Sequence, residues 1–156
     1  MTKFCLLVST LVCVAGTLNA SDKSPTKILS GKPVATSSRS STYYDGKGGY
    51  AGRSATSGSR TQIYDSTGRP AERITASGDS TQIYDNKGSH AGRTQTSGNT
   101  ITYYNKNGSF DGRSTTSGNT TIFYDSRGAF SGRSETWGGT TKYYDSQGRP
   151  VGSIRP

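Results

Sequence analysis

From Ser40 to the C-terminus, apolar and polar positions recur in a 20-residue unit that is written six times without insertion or deletion. Each unit holds two short runs of strand-forming residues, separated by two polar clusters that contain glycine. In the fifth unit, Thr121-Ile122-Phe123-Tyr124 are β-branched or aromatic and suit a half-buried strand. Asp125-Ser126-Arg127-Gly128 follows. The Asp side chain can accept hydrogen bonds from the turning backbone and the closing glycine can take φ > 0, so this pattern predicts a type I turn ended by a glycine bulge. Ala129 to Thr136 predicts the return strand, and Trp137-Gly138-Gly139 the turn into the next unit. Such a unit has no room for a helix. The predicted fold is all-β: six β-hairpin repeats forming one continuous twisted antiparallel sheet or a shallow spiral over residues 40–156.

Side chains alternate across a strand, so the pair before each Asp points to opposite faces. One face receives Tyr44, Tyr64, Tyr84, Tyr104, Tyr124 and Tyr144; the other receives Tyr43, Ile63, Ile83, Tyr103, Phe123 and Tyr143. A three-residue turn would set Tyr44 opposite Tyr50 and Thr42 opposite Gly52. Gly92, Gly112, Gly132 and Gly152 share the Gly52 column, with Glu72 as the exception, and glycine there marks either a bulge or the floor beneath a ring. The two options reverse which face is inside. Arg53, Arg73, Arg93, Arg113 and Arg133 form a further column, ended by Ser153. Five cations in one row repel, and stacking on neighbouring rings together with pairing to the turn aspartates would separate them. An open sheet would leave edges near Thr42 and Val151. Pro150, Pro156, Arg149 and Arg155 would blunt the last edge and the segment 21–39 would cover the first, giving a monomer.

Composition changes this picture at the N-terminus. Lys3, an apolar run from Phe4 to Gly16 and Leu18-Asn19-Ala20 read as a secretory signal peptide over residues 1–20, too short to span a membrane. Residues 21–39 are rich in Ser, Thr, Lys and Pro and read as a flexible basic leader. Cys5 and Cys13 both fall in the signal, so the chain that follows has no disulfide or thiolate chemistry. Its 136 residues carry 18 Lys and Arg against 10 Asp and Glu, a net charge of +8. Leu, Ile, Val and Phe make only 13 of them, so a thick core is excluded, and ladders of aromatics, Thr pairs and backbone hydrogen bonds must hold the sheet.

The unit Tyr-Tyr-Asp-x-x-Gly, with later Gly-Arg and Gly-x-Thr-Thr, resembles the YD repeats of Rhs-type proteins and bacterial toxin-complex shells, most closely at Tyr124-Asp125, Gly128, Gly138, Thr140-Thr141 and Tyr144-Asp145. That resemblance implies hairpins in a long spiralling sheet, although family shells use many more repeats. A weaker similarity is to the choline- and glucan-binding repeats of cell-surface proteins, through the period and Tyr143-Tyr144-Asp145-Ser146-Gln147-Gly148. It implies ligand cages of aromatic rings, but Trp137 is the only tryptophan here. A looser likeness to curli-type repeats implies fibre stacking.

Catalytic constellations are not assembled by this pattern. His90 stands in a column of Tyr, Phe and Pro and reads as an aromatic substitute. The acids are mostly turn residues, and no Cys/His cluster offers a metal site. The expectation is a secreted or periplasmic, non-catalytic protein without cofactor. It would bind a cell-envelope glycan, another anionic surface or a partner protein through the Tyr44 and Arg53 columns, with no nucleic-acid partner. The alternative is a spacer or fibre subunit whose open edges stack.

Overall fold

The computed structural model describes residues 39–156. The signal-peptide assignment and all of the leader but Arg39, which opens the first strand, lie outside the described residues. Twelve antiparallel strands and no helix make up the described chain: β1 (Arg39–Asp45), β2 (Tyr50–Ser57), β3 (Arg60–Asp65), β4 (Pro70–Ser77), β5 (Ser80–Asp85), β6 (His90–Ser97), β7 (Thr100–Asn105), β8 (Phe110–Ser117), β9 (Thr120–Tyr124), β10 (Phe130–Trp137), β11 (Thr140–Asp145) and β12 (Pro150–Arg155). Each repeat is one hairpin, as its pattern predicts.

The turns explain why. In the first turn of every repeat one side-chain oxygen caps the chain: the Lys47 and Gly49 amides donate to Asp45 Oδ1 at 2.9 and 2.7 Å. The same two bonds recur at Asp65, Asp85, Asn105, Asp125 and Asp145. The Gly48 amide donates to the Asp45 carbonyl at 3.0 Å with φ 82°, which closes a type I turn and adds the glycine bulge. Between repeats the connection has two residues. Gly138 and Gly139 both take positive φ, 55° and 79°, the mirror-image turn whose twist matches the strands it joins.

The predicted open sheet is corrected: it closes. β12 pairs with β1, setting Thr42, Tyr43, Tyr44 and Asp45 against Arg155, Ile154, Ser153 and Gly152, so the strands form a closed up-and-down barrel. The physical reason lies in the hairpins. All six carry a register shift at one place, between Tyr43 and Tyr44 in the first. A bulge bends its strand and increases the right-handed twist, and six equal bends accumulate until the two edges meet. Tyr44 does face Tyr50, but the shift sets Tyr43, not Thr42, opposite Gly52. Closure also removes the exposed edges on which both fibre stacking and a covering leader depended.

The bulge decides which face is inside. Tyr43, Ile63, Ile83, Tyr103, Phe123 and Tyr143 are fully buried and fill the barrel. Between them around the wall stand Ser54, Ile74, Thr94, Ser114, Ser134 and Ile154 from the even strands. Large side chains thus mostly alternate with small ones. A twelve-stranded barrel is wider than an eight-stranded one, and rings reach further inward than the missing leucines would. Each such burial contributes about 1.5–3 kcal/mol. Phe123 and Tyr143 stack with centroids 6.3 Å apart, and the Tyr103 hydroxyl shares a 2.7 Å hydrogen bond with Ser114. Ser54 holds the equivalent place beside Tyr43, whose hydroxyl makes no bond of good geometry among the described residues; burial pushes its pKa up to about 12, Ser54 pulling slightly the other way. At Gly112, opposite Tyr103 with φ 137°, only glycine fits: a Cβ there would stand 2.5 Å from the Tyr124 carbonyl oxygen. Thr pairs line the end of the interior nearest the turns between repeats, with Thr56–Thr61, Thr116–Thr121 and Thr136–Thr141 hydroxyls 2.9 Å apart.

No helix among the described residues is long and apolar enough to cross a membrane. The strands have 5–8 residues, against about 9–11 for a membrane-spanning strand. Their outward positions carry Arg53, Gln62, Gln82, Arg93, Glu135 and Lys142 where a lipid-facing wall is apolar.

Candidate functional site

With Tyr43 inside, Tyr44 and its five equivalents face out, all half-buried in the wall. The two-residue turns between repeats set each column Arg against the Tyr of the following unit: Arg53 with Tyr64, Arg73 with Tyr84, Arg93 with Tyr104, Arg113 with Tyr124 and Arg133 with Tyr144. The guanidinium carbons lie 4.3, 4.6, 3.9, 5.0 and 4.7 Å from the ring centroids, within cation–π range. The stacking that the sequence led us to expect between the column arginines and neighbouring rings is present at all five.

One member was missed. Tyr44 stands opposite Ser153, which should leave its ring uncovered, yet Arg155 lies over it at 4.8 Å. The signal was available, because residues 153 and 155 share a face under strict alternation. Without closure there was no reason to bring β12 against Tyr44. The belt thus runs around the whole barrel with six Arg/Tyr pairs.

The expected pairing of column arginines with turn aspartates is corrected. Those carboxylates are engaged by their own turn backbones. Asp145 also binds Arg149, through a 2.6 Å Nε–Oδ2 ion pair, and Arg133 binds Glu135 at 2.8 Å. Thr67, through its hydroxyl, and then the Arg69 amide hold the Asp65 carboxyl below the usual range. Burial pushes the Asp145 carboxyl up, but bonds from the Arg149 amide and side chain and the Gln147 amide outweigh it and lower the net value. These acids hold the turns.

Electrostatically the belt is cationic and ordered. Resting a guanidinium on a ring contributes about 0.5–1 kcal/mol at an exposed site and leaves its N–H edges free to donate. The covering guanidiniums also occupy a face of each column Tyr. The rings left open are elsewhere: Tyr50, Phe110 and Phe130 are about half exposed and Trp137 is 82% exposed. His90 stands edge-on to Tyr84 at 6.1 Å and meets Gln82 Oε1 through Nε2 at 3.0 Å, in the place of an aromatic ring. Inside the mouth on the Asp-turn side, Asp111 occupies the position held by Ala51, Ala71, Ala91, Ser131 and Val151 in the other repeats. Its Oδ2 is buried without a partner among the described residues, and burial pushes the pKa up to about 6. Among the described residues no group of three or more His, Cys, Asp or Glu side chains is placed to hold a metal ion.

No protein-family model matches this chain, and no curated protein is significantly similar to it.

Proposed function

We propose that this is an exported, non-catalytic binding protein whose Tyr/Arg belt engages an anionic polymer or envelope surface. The observation that carries the reading is the set of six guanidiniums, each seated on a ring at 3.9–5.0 Å and repeated around a closed wall. Arginine forks match carboxylate, sulfate and phosphate groups, and a pre-ordered side chain loses less entropy on binding. Weak contacts at successive repeats would add along one polymer. Covered Tyr faces favour charge recognition over sugar stacking at the belt itself. The YD-repeat likeness at Tyr124-Asp125 and Tyr144-Asp145 supports a kinship with that family, whose unit is likewise a β-hairpin, as part of this proposal.

Retention of the described domain on dextran sulfate, with neutral dextran as control, tests the reading. We expect retention at low salt on the charged matrix alone, declining as salt screens it. Replacing Arg53 and Arg93 by Gln should weaken retention more than replacing Lys47 and Lys87, an equal loss of charge in the turns. Equal effects of the two double variants would reduce the belt to net charge, and no retention would reject it.

A further inference from the structure

The outer wall beside the belt is not uniform from repeat to repeat. Across β8 and β9 the outer wall opens into a hollow of about 450 Å³ lined by Arg113, Thr115, Ser117, Thr120, Ile122 and Tyr124. That volume lies in the range of small-ligand sites, about 300–1,000 Å³. Each of the other junctions between repeats carries at least one longer polar group in the equivalent row: Arg60 and Gln62 across β2 and β3, Gln82 across β4 and β5, Gln95 across β6 and β7, and Glu135, Trp137 and Lys142 across β10 and β11. At β8–β9 the row is Thr, Ser, Thr and Ile, with three hydroxyls and no long polar side chain beyond Arg113; β4–β5 has the same hydroxyls in Thr75, Ser77 and Ser80 but places Gln82 where β9 has Ile122. Arg113 is also the loosest of the six on its ring, at 5.0 Å, and it is exposed. Where Arg133 is held by Glu135, no ion pair to Arg113 is made among the described residues. Ile122 gives the hollow an exposed apolar floor, and the exposed Phe130 faces Tyr124 across the next strand pair.

From this we infer that the β8–β9 hollow is a subsite for one acidic sugar unit of a polysaccharide, a uronic acid in type, with its carboxylate on Arg113. The inference rests on the belt reading and deepens it. A cation, a short row of hydroxyl donors and acceptors, and an apolar wall match the carboxylate, ring hydroxyls and C–H face of such a unit. An acidic peptide fits less well: the closed barrel offers no strand edge for main-chain pairing, so a peptide would have side-chain contacts alone.

Calorimetry with tetragalacturonate as the probe, and neutral maltotetraose as its control, tests this. We expect binding of the acidic sugar only. Arg113→Gln should weaken it about tenfold, the value of a hydrogen-bonded charge contact. Thr120→Tyr, which fills the hollow from a half-buried strand position on its lining, should abolish it while leaving retention on dextran sulfate unchanged. Arg53→Gln, at a position without the hollow, should change it less than about twofold. No heat from tetragalacturonate, equal effects of Arg113→Gln and Arg53→Gln, or equal affinity for hexaglutamate would each overturn the subsite. If dextran sulfate retention survives such a failure, the belt reading stands without it; if that too is absent, both fall.

Discussion

Tyr43 and Tyr44 are the same residue one position apart, and they have opposite fates. Tyr43 belongs to a column that reads Tyr, Ile, Ile, Tyr, Phe, Tyr along the six repeats; the Tyr44 column is tyrosine in all six. Inside the barrel the requirement is apolar volume against glycine and small neighbours, which several side chains meet. Outside, the requirement is a ring face under an arginine, which is more selective. A column that varies is therefore structural filling here, and the column that does not vary is built around a charge.

The largest effect that separates the two faces comes from truncating neighbours on one strand. Phe123→Ala empties a fully buried position stacked on Tyr143 and should cost about 3–5 kcal/mol in urea denaturation. Tyr124→Ala, one residue on, removes an outer ring and its cation–π contact and should cost about 1 kcal/mol. Similar losses at the two sites would dissolve the distinction between inner filling and outer platform.

A smaller effect with the opposite sign belongs at Asp111, the acid placed where other repeats have Ala, Ser or Val. A folded carboxyl near 6 against an unfolded one near 3.9 means that the folded chain holds the extra proton between those values. Stability should therefore rise as pH falls from 7 towards 4, and be lost as pH rises through 6. Two units of full burial correspond to about 3 kcal/mol, and partial exposure reduces this to about 1 kcal/mol. Asp111→Ala should recover that amount at pH 7 and flatten thermal stability between pH 4 and 6. Asp145 works the other way: its lowered pKa gives stability that is present above about pH 4 and lost as pH falls through the folded value.

Local chemistry was legible in the sequence and global geometry was not. Asp45 to Gly48 has one way to turn, so strands, turn types and the Tyr44–Tyr50 pairing could be read directly. The one-residue shift after Tyr43 was not decidable, because a glycine at 52 suits a bulge and a floor equally; in the structure the shift lies beside it, with Ala51 the extra residue and Gly52 opposite Tyr43. Closure depends on the sum of six small bends, which no single residue reports. The interior, the missing edges and the role of Arg155 all follow from that sum, and so does the continuity of the belt. The short row at Thr115, Ser117 and Thr120 was visible only once β8 and β9 were neighbours on an outer wall.

Pairing of β1 with β12 is thus the claim on which the account turns, and cross-strand nuclear Overhauser contacts with amide exchange test it directly. The account predicts backbone contacts between Tyr43 and Ile154 and between Thr42 and Arg155, with seam amides in both strands protected like those of interior strands. Absence of these contacts, with β1 and β12 amides exchanging as freely as an open edge, would contradict it.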